Sequence, residues 1–399
     1  MQHFDVDEFP SYPKNGVYLD SMTVGLQHRN TIQALEKFNS TNGGVVRKGL
    51  STQARIASEV YYASKKTYAS YFNGDPDNFA WIPNSDYGWN IILHSLLANH
   101  PKPKIIASLY DHHSILAPIV HLDQLGLVNL QFLSIEDEYN LPDTIDHLTD
   151  ESTILVLSHV SPIIGLYRDI ESIYQRCLQK GVTMVVDYSR SIGQSDVSIS
   201  KSSDIAIIDG SIDLLGPQGA GLLYFNENFK QHLLNPFPGT GSIRYVLPTG
   251  IGQLRSYERF ETGNPNVGAM AALAESLRLL DKAGKYNIIN HRIQLMKHLI
   301  ESLDEISAIS ILDPLIDTKM GNPQRASALT ITTESFSSHD IAMLLDEQDN
   351  IAIRSGRMCA HPGLFALELE EVNQISIHYY NTLDDIDLLV QGLKRILNL

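Results

Sequence analysis

The stretch Ala206–Phe225, AIIDGSIDLLGPQGAGLLYF, combines two apolar runs with a loop that contains Asp213. An apolar run leads up to Asp209 and another starts near Gly219, which predicts two buried strands joined by a tight loop. In α/β proteins, ligands bind just beyond the carboxyl ends of such strands. The loop therefore makes Asp213 a candidate site residue, and the question is which chemistry a carboxylate can support there.

Six short apolar runs, including the two that flank this loop, have the near-continuous hydrophobicity that a parallel sheet covered on both faces requires. They are FAWIP (79–83), KIIASLY (104–110), TILVLSH (153–159), VTMVVD (182–187), IAIID (205–209) and AGLLYF (220–225). Helix-patterned segments separate them, and the segment 169–181 ends at Gly181, a residue type that commonly follows a helix. This alternation predicts a doubly wound, mainly parallel α/β sheet.

After about residue 270 the pattern changes to mixed helices and strands. Long helical segments are followed by ALTITTE (328–334), a helical pattern over 337–348, NIAIRS (350–355) and a last helix that starts at 383. We predict a large α/β domain over 17–275 and a smaller α+β C-terminal domain formed by 1–16 and 276–399. No linker composition separates the two, so they are expected to pack closely.

The composition sets limits on the class of protein. The chain has 399 residues, of which 43% are hydrophobic and 19% charged, as in a globular protein with a sizeable core. Its net charge of -16 argues against a general binder of nucleic acid or of anionic membranes. The two cysteines, Cys177 and Cys359, argue against a disulfide scaffold, and we see neither a signal peptide nor a membrane-spanning run. A cytoplasmic protein is expected.

Polar clusters follow the ends of the predicted strands. They are 84–86, 111–113, 161–162, 187–190 and 209–213, and every cluster except 161–162 contains an aspartate. Because the carboxyl ends of parallel strands meet at one edge of the sheet, we expect these side chains to surround a small-molecule ligand there.

Seven segments, in this order, resemble the class V aminotransferase family of pyridoxal-phosphate (PLP) enzymes, and in particular its group II cysteine desulfurases and selenocysteine lyases. They are YLDS (18–21), GLSTQA (49–54), DHHSILAPI (111–119), VVDYSRSIGQ (185–194), RFETGNPN (259–266), RSGRMCAHP (354–362) and YYNTLDDIDLLVQGL (379–393). The resemblance implies the type I fold of PLP-dependent transferases. It also implies a homodimer, a small-molecule substrate and, for a desulfurase, a sulfur-relay protein partner.

The resemblance also assigns roles to residues. His112 would stack on the pyridine ring, Asp187 would pair with the pyridine nitrogen, and Cys359 would be the nucleophile. Asn264 lies in the loop that reaches the partner subunit's cofactor, and Arg354 belongs to the loop that contacts the substrate.

Several positions depart from the family pattern. Asp213 stands where the family has its Schiff-base lysine, which leaves Asp213 to act as a base, a metal ligand, a solvated loop carboxylate or a structural partner of Arg190. The other departures are Ile212 for a histidine, Ser85 and Asp86 for the threonines that hold the phosphate, Arg190 for a glutamine, Pro162 for an asparagine, Gln374 for the substrate-binding arginine and Lys48 for a histidine. A carboxylate cannot form an imine, and Asp86 is predicted to cap a helix where the phosphate would bind, so covalent binding of PLP is not expected.

Three interpretations of the pocket follow. The first is a family member without imine-bound PLP, which handles sulfur through Cys359, binds a ligand or runs repurposed chemistry. The second is a PLP-dependent carbon–sulfur lyase that uses another lysine or holds PLP noncovalently. The third is a metal site built from aspartates and His112, with Asp187 and Asp213 as the weak candidates.

Overall fold

A mixed seven-stranded sheet forms the centre of the larger part of the chain. The computed structural model describes residues 5–47, 49–134, 137–138, 141–148, 153–229, 232–312 and 325–398. The strands are β1 Val17–Tyr18, β2 Phe79–Ile82, β3 Lys104–Ser108, β4 Asn129–Leu133, β5 Thr153–Ser158, β6 Thr183–Asp187, β7 Ile205–Asp209, β8 Gly221–Phe225, β9 Ile243–Leu247, β10 Gly250–Gln253, β11 Ile309–Ile311, β12 Ala328–Thr333, β13 Ile351–Ala352, β14 Arg354–Gly356 and β15 Val372–Ser376.

Helices cover the sheets and connect the strands. They are α1 Arg29–Thr41, α2 Thr52–Phe72, α3 Ser85–Leu97, α4 His113–Gln124, α5 Leu141–Leu148, α6 Ile170–Lys180, α7 Ile199–Ser202, α8 Val267–Ala283, α9 Lys285–Asp304, α10 Ser338–Asp349, α11 His361–Ala366 and α12 Leu383–Ile396. Helix α6 has the predicted ends, since Asp169 caps its first turn and Gly181 follows it with a φ of 70°. No helix in the described ranges combines the length and the apolar character needed to cross a membrane.

The large sheet has the strand order β2-β8-β7-β6-β5-β3-β4. Strand β8 runs antiparallel to both of its neighbours, and the other pairs are parallel. The tight loop after β7 explains this exception, because a short connection can only join antiparallel neighbours. All six strands predicted from apolar runs are present.

Both faces of this sheet are buried, which is why its strands are apolar without interruption. Within β5, Leu155 and Leu157 face one core cluster with helices α2, α6 and α8, whereas Ile154 and Val156 face a second cluster with α3 and α4. Strand β4 was missed by the sequence analysis. It lies at the sheet edge and is only partly buried, so its sequence NLQFL lacks a continuous apolar run.

The C-terminal part contains a four-stranded antiparallel sheet in the order β11-β12-β15-β14. Its core also includes Val17 and Leu19, because β1 pairs in parallel with β13. The division of the chain at residues 17 and 275 stays a proposal, and these contacts connect its N-terminal boundary to the small domain.

Candidate active site

The loop between β7 and β8 holds Asp213 in a closed backbone arrangement. Gly210 N–H donates to Ala220 O at 2.7 Å, and Gly216 N–H donates to Gly210 O at 2.8 Å. These two bonds close the loop on itself. The side chain of Asp213 consequently points away from solvent, and the residue is 2% exposed.

The Asp213 carboxylate accepts three hydrogen bonds from one segment. Gly193 N and Gln194 N donate to Oδ2 at 2.5 and 3.1 Å, and Gln194 Nε2 donates to Oδ1 at 2.7 Å. A Cβ on residue 193 would lie 2.2 Å from the Asp213 carbonyl oxygen, so this approach requires glycine. Asp213 therefore fixes the turn after β6 to the loop after β7.

His378 completes the surroundings of Asp213. Its Nδ1 accepts the Tyr379 N–H at 2.8 Å, so Nε2 carries the ring proton and donates to Asp213 O at 3.1 Å. Burial lowers the pKa of His378, and the nearby Asp213 opposes that shift. The imidazole is thus held in its neutral form, 3.7 Å from Asp213 Oδ1.

Asp187 is the last residue of β6, and each of its carboxylate oxygens accepts a hydrogen bond. Trp89 Nε1 donates to Oδ2 at 3.0 Å, and Ser189 N donates to Oδ1 at 2.8 Å. Burial raises the pKa of Asp187, although these hydrogen bonds and Arg190 favour the carboxylate. Trp89 is completely buried in α3. The sequence analysis missed its role, because a tryptophan on an apolar helix is usually a packing residue.

His112 precedes α4 and caps it. Its Nδ1 accepts the Ser114 N–H at 3.1 Å and lies 3.0 Å from Ser114 Oγ. Burial lowers the pKa of His112 to about 2, with further contributions from the positive charges of Arg190 and Arg354. His112 is therefore a neutral imidazole close to two guanidinium groups. Its neighbour His113 faces His361 instead, with ring centroids 4.5 Å apart.

Cys359 is the exposed thiol of the site, whereas Cys177 is buried. Arg354 Nη2 lies 3.4 Å from Cys359 Sγ. The loop is tight, since Met358 and Cys359 have φ values of 52° and 51°, and Cys359 O accepts the His113 N–H at 2.8 Å. These contacts hold the thiol next to the start of α4 and beside a cation.

Arg190 differs from the expected arrangement. A pairing with Asp213 was one of the alternatives for it, but within the described ranges no hydrogen bond or ion pair joins Arg190 to Asp213 or to Asp187. Burial lowers the pKa of Arg190, Asp187 raises it through space and Arg354 lowers it further. The carboxylate of Asp213 uses Gln194 and Gly193 instead, because the turn after β6 brings their N–H groups closest.

Gln374 lies beside Arg354 in the sheet register of β14 and β15. It is buried, and its Nε2 donates to Pro162 O at 2.6 Å and to Thr330 Oγ1 at 3.3 Å. Gln374 thereby connects the loop after β5 to the four-stranded C-terminal sheet through hydrogen bonds. Lys48, which stands where the family has a histidine and was a candidate for substrate binding together with Arg354 and Gln374, lies outside the described residues.

The start of α3 corrects the prediction that Asp86 caps the helix. The cap is Asn84, whose Oδ1 accepts the Tyr87 N–H at 2.9 Å, and Asp86 is an exposed residue of the first turn. Ser85 is buried at the same place. Asn264 is exposed and lines a cavity of about 350 Å³ together with Trp81, Tyr87 and Phe260.

The structure thus brings Arg190, Arg354, His112 and Cys359 together, while Asp213 belongs to a buried hydrogen-bond network next to them. In the part of the chain that the structure describes, no three carboxylate, imidazole or thiol side chains are arranged to hold a metal ion. The geometry gives the metal interpretation no support.

Comparisons with known proteins agree with this architecture. A probable cysteine desulfurase from Pyrococcus abyssi is 27% identical over 384 residues, which cover 95% of this chain and 94% of that protein. A cysteine desulfurase from Cronobacter sakazakii is 27% identical over 387 residues, covering 95% and 93%. The apo structure of a cysteine desulfurase from Thermococcus onnurineus superposes with a TM-score of 0.87 at 25% identity, covering 96% and 95%.

The fold is the type I fold of PLP-dependent transferases, as predicted. The cysteine desulfurase CsdA from Escherichia coli shares it with a TM-score of 0.87 at 23% identity, covering 98% of this chain and 97% of that one. The class-V aminotransferase profile matches residues 17–389. This chain therefore belongs to the class-V aminotransferase family and is similar to its cysteine desulfurases.

Proposed function

We propose that this chain handles sulfur through Cys359 and does not hold PLP as an imine. The observation that carries the proposal is the contrast between two positions. Cys359 is exposed with its Sγ 3.4 Å from Arg354 Nη2, whereas residue 213 is a buried carboxylate enclosed by N–H donors. A thiol beside a cation is a competent nucleophile, and a carboxylate cannot form an imine.

The described lysines support the absence of an imine-bound coenzyme. Lys65 is buried, but its Nζ lies 3.8 Å from Glu258 Oε1 and over the Tyr61 ring, in an ion-pair cluster of its own. The other described lysines are partly or fully exposed. The engagement of Lys65 supports the proposal that no side-chain amine replaces the one missing at position 213.

The two ends of the expected coenzyme site are also altered. Asp86 is an exposed carboxylate in the first turn of α3, and a carboxylate at that helix end does not favour a phosphate there. The Asp187 carboxylate already accepts the Trp89 indole N–H and the Ser189 N–H.

The proposed reaction needs only the thiol. The Cys359 thiolate attacks the outer sulfur of a donor persulfide, the S–S bond breaks, and the donor thiolate leaves with the bonding electrons. Cys359 then carries a persulfide, and no oxidant is consumed. Because Cys359 is exposed, an acceptor protein could take up the sulfur directly from the surface, as a sulfur-relay partner would.

The test uses the full chain as purified. We expect no visible aldimine band, before or after addition of PLP, and we expect a polysulfide donor to add one sulfur atom to Cys359, seen by mass spectrometry. Cys177 serves as the internal control, since it is buried and should stay unmodified. A band that borohydride fixes onto a lysine, or a Cys359 that never takes up sulfur while folded, would refute the proposal.

A PLP-dependent carbon–sulfur lyase is the second candidate, because the chain retains a neutral His112 and a buried Asp187, the residues that the family resemblance assigns to the pyridine ring. It requires release of alanine and sulfide from cysteine when PLP is supplied. Turnover that is lost in Asp187→Asn would favour this candidate. Absence of turnover in a folded sample would remove it.

We also propose that the chain is a cytoplasmic homodimer. The β9–β10 hairpin carries exposed apolar side chains, with Tyr245 and Val246 exposed by 55% and 63%. Burying such a patch against a second copy removes apolar surface from water. Light scattering should give twice the monomer mass of 44.5 kDa, and Val246→Glu should weaken the dimer.

A further inference from the structure

We propose that Arg190 and Arg354 form a binding site for a small dianion beside Cys359, and that its ligand is an anionic sulfane-sulfur donor of the thiosulfate type. The inference deepens the proposed function and rests on it, because it names the class of molecule that would deliver sulfur to the thiol.

The first support is the geometry around the thiol. Arg354 projects from β14, and its Nη2 is 3.4 Å from Cys359 Sγ. The left-handed backbone at Met358 and Cys359 and the His113 N–H bond to Cys359 O hold the loop in place. A guanidinium here can hold the charged group of a ligand while the ligand's sulfur meets Sγ.

The second support is the state of Arg190. A guanidinium has five N–H donors, and in the described ranges Arg190 gives none of them to another residue at hydrogen-bond distance. It lies in a partly buried position near Arg354; burial lowers the pKa of Arg190, Asp187 raises it through space and Arg354 lowers it. Two neighbouring guanidinium groups without a carboxylate bridge between them favour an anion.

The carboxylates that face these arginines are already engaged. Asp187 accepts from Trp89 and Ser189, and Asp209 accepts from Ser211 N and Oγ at 3.0 and 2.7 Å. Asp20, which faces Arg354, accepts the Thr23 hydroxyl at 2.6 Å. These bonds stabilise the carboxylates independently of the guanidinium groups, whose own donors stay available to a ligand.

The chemistry balances without a further reactant. The Cys359 thiolate attacks the outer sulfur of thiosulfate, the S–S bond breaks, and sulfite leaves with the bonding electron pair. The product is a Cys359 persulfide. The guanidinium groups hold the sulfonate end before the step and the sulfite charge after it.

The first experiment compares alkylation of Cys359 by anionic iodoacetate and neutral iodoacetamide in the full chain. We expect the ratio of the two rates to fall at least about fivefold in Arg190→Gln, because even hydrated unit charges a few ångströms apart attract enough for that change. The matched control is Arg278→Gln, a 52% exposed arginine of α8, which should leave the ratio unchanged. An unchanged ratio in Arg190→Gln would overturn the site.

A measurement on the native chain tests the site even if Arg190→Gln does not fold. Sulfate should slow iodoacetate alkylation of Cys359 in the native protein, and alkylation of the buried Cys177 reports any unfolding. No protection by sulfate would overturn the site.

Thiosulfate alone, added to the purified chain, should yield sulfite and a Cys359 persulfide, and less of both in Arg190→Gln. If a polysulfide modifies Cys359 but thiosulfate does not, the dianion site is wrong and sulfur handling stands. If the protein shows a borohydride-fixed aldimine, the proposed function itself is wrong.

Discussion

Replacing Asp213 by alanine tests whether this residue is structural. The substitution leaves three buried donors without their acceptor: Gly193 N, Gln194 N and Gln194 Nε2. An unsatisfied buried donor costs ~1–3 kcal/mol, and water that enters the new space offsets part of it, so we expect a loss of ~3 kcal/mol in the free energy of unfolding.

The matched control is Asp213→Asn, which keeps the size and one oxygen acceptor. The asparagine Oδ1 can accept both backbone N–H groups, and its amide can face Gln194. Gln194 Oε1 has no hydrogen-bond partner among the described residues, so a rotated Gln194 amide can accept from the new donor. We expect Asp213→Asn to lose less than ~1 kcal/mol.

The assay is urea unfolding followed by circular dichroism and tryptophan fluorescence, with persulfide formation on Cys359 measured in the same samples. Both variants should keep sulfur uptake wherever they are folded. If Asp213→Ala is as stable as the native chain, the hydrogen-bond reasoning is wrong. If Asp213→Asn is fully folded but has lost uptake, Asp213 has a catalytic role rather than a structural one.

Three further predictions follow from the site. Trp89→Phe removes the indole N–H that donates to Asp187 and should lower the free energy of unfolding by ~1–3 kcal/mol. An unchanged urea unfolding curve would show that this hydrogen bond does not stabilise the fold. A thiol reagent should modify only Cys359 in the native chain, because burial raises the pKa of Cys177 to about 12; prompt reaction of both would contradict the structure. Burial lowers the pKa of His159 to about 3. Between that value and the ordinary histidine pKa, His159 is therefore protonated in the unfolded chain but neutral in the folded chain. Stability should therefore fall as the pH drops from about 7 to about 5, by up to ~1.4 kcal/mol per pH unit for this residue, and His159→Gln should flatten the slope of unfolding free energy against pH.

Most of the fold could be predicted from local sequence patterns. Strands β5, β6 and β7 are buried on both faces, so their apolar runs were visible without the structure. The edge strand β4 could not be recognised in this way, because its partly exposed residues do not form a continuous apolar run. The pairing of β1 with β13 joins residues more than three hundred positions apart, and no local pattern indicates it.

The chemical types at the site can be read from the sequence: a carboxylate at 213, a thiol at 359, and arginines at 190 and 354. Their hydrogen-bond partners depend on how the chain packs in three dimensions. In the folded chain, Asp213 accepts a hydrogen bond from Gln194 rather than from Arg190, and Asp187 accepts one from Trp89. The reason is that a hydrogen bond depends on distances of a few tenths of an ångström between elements far apart in the chain, and those distances are set by packing.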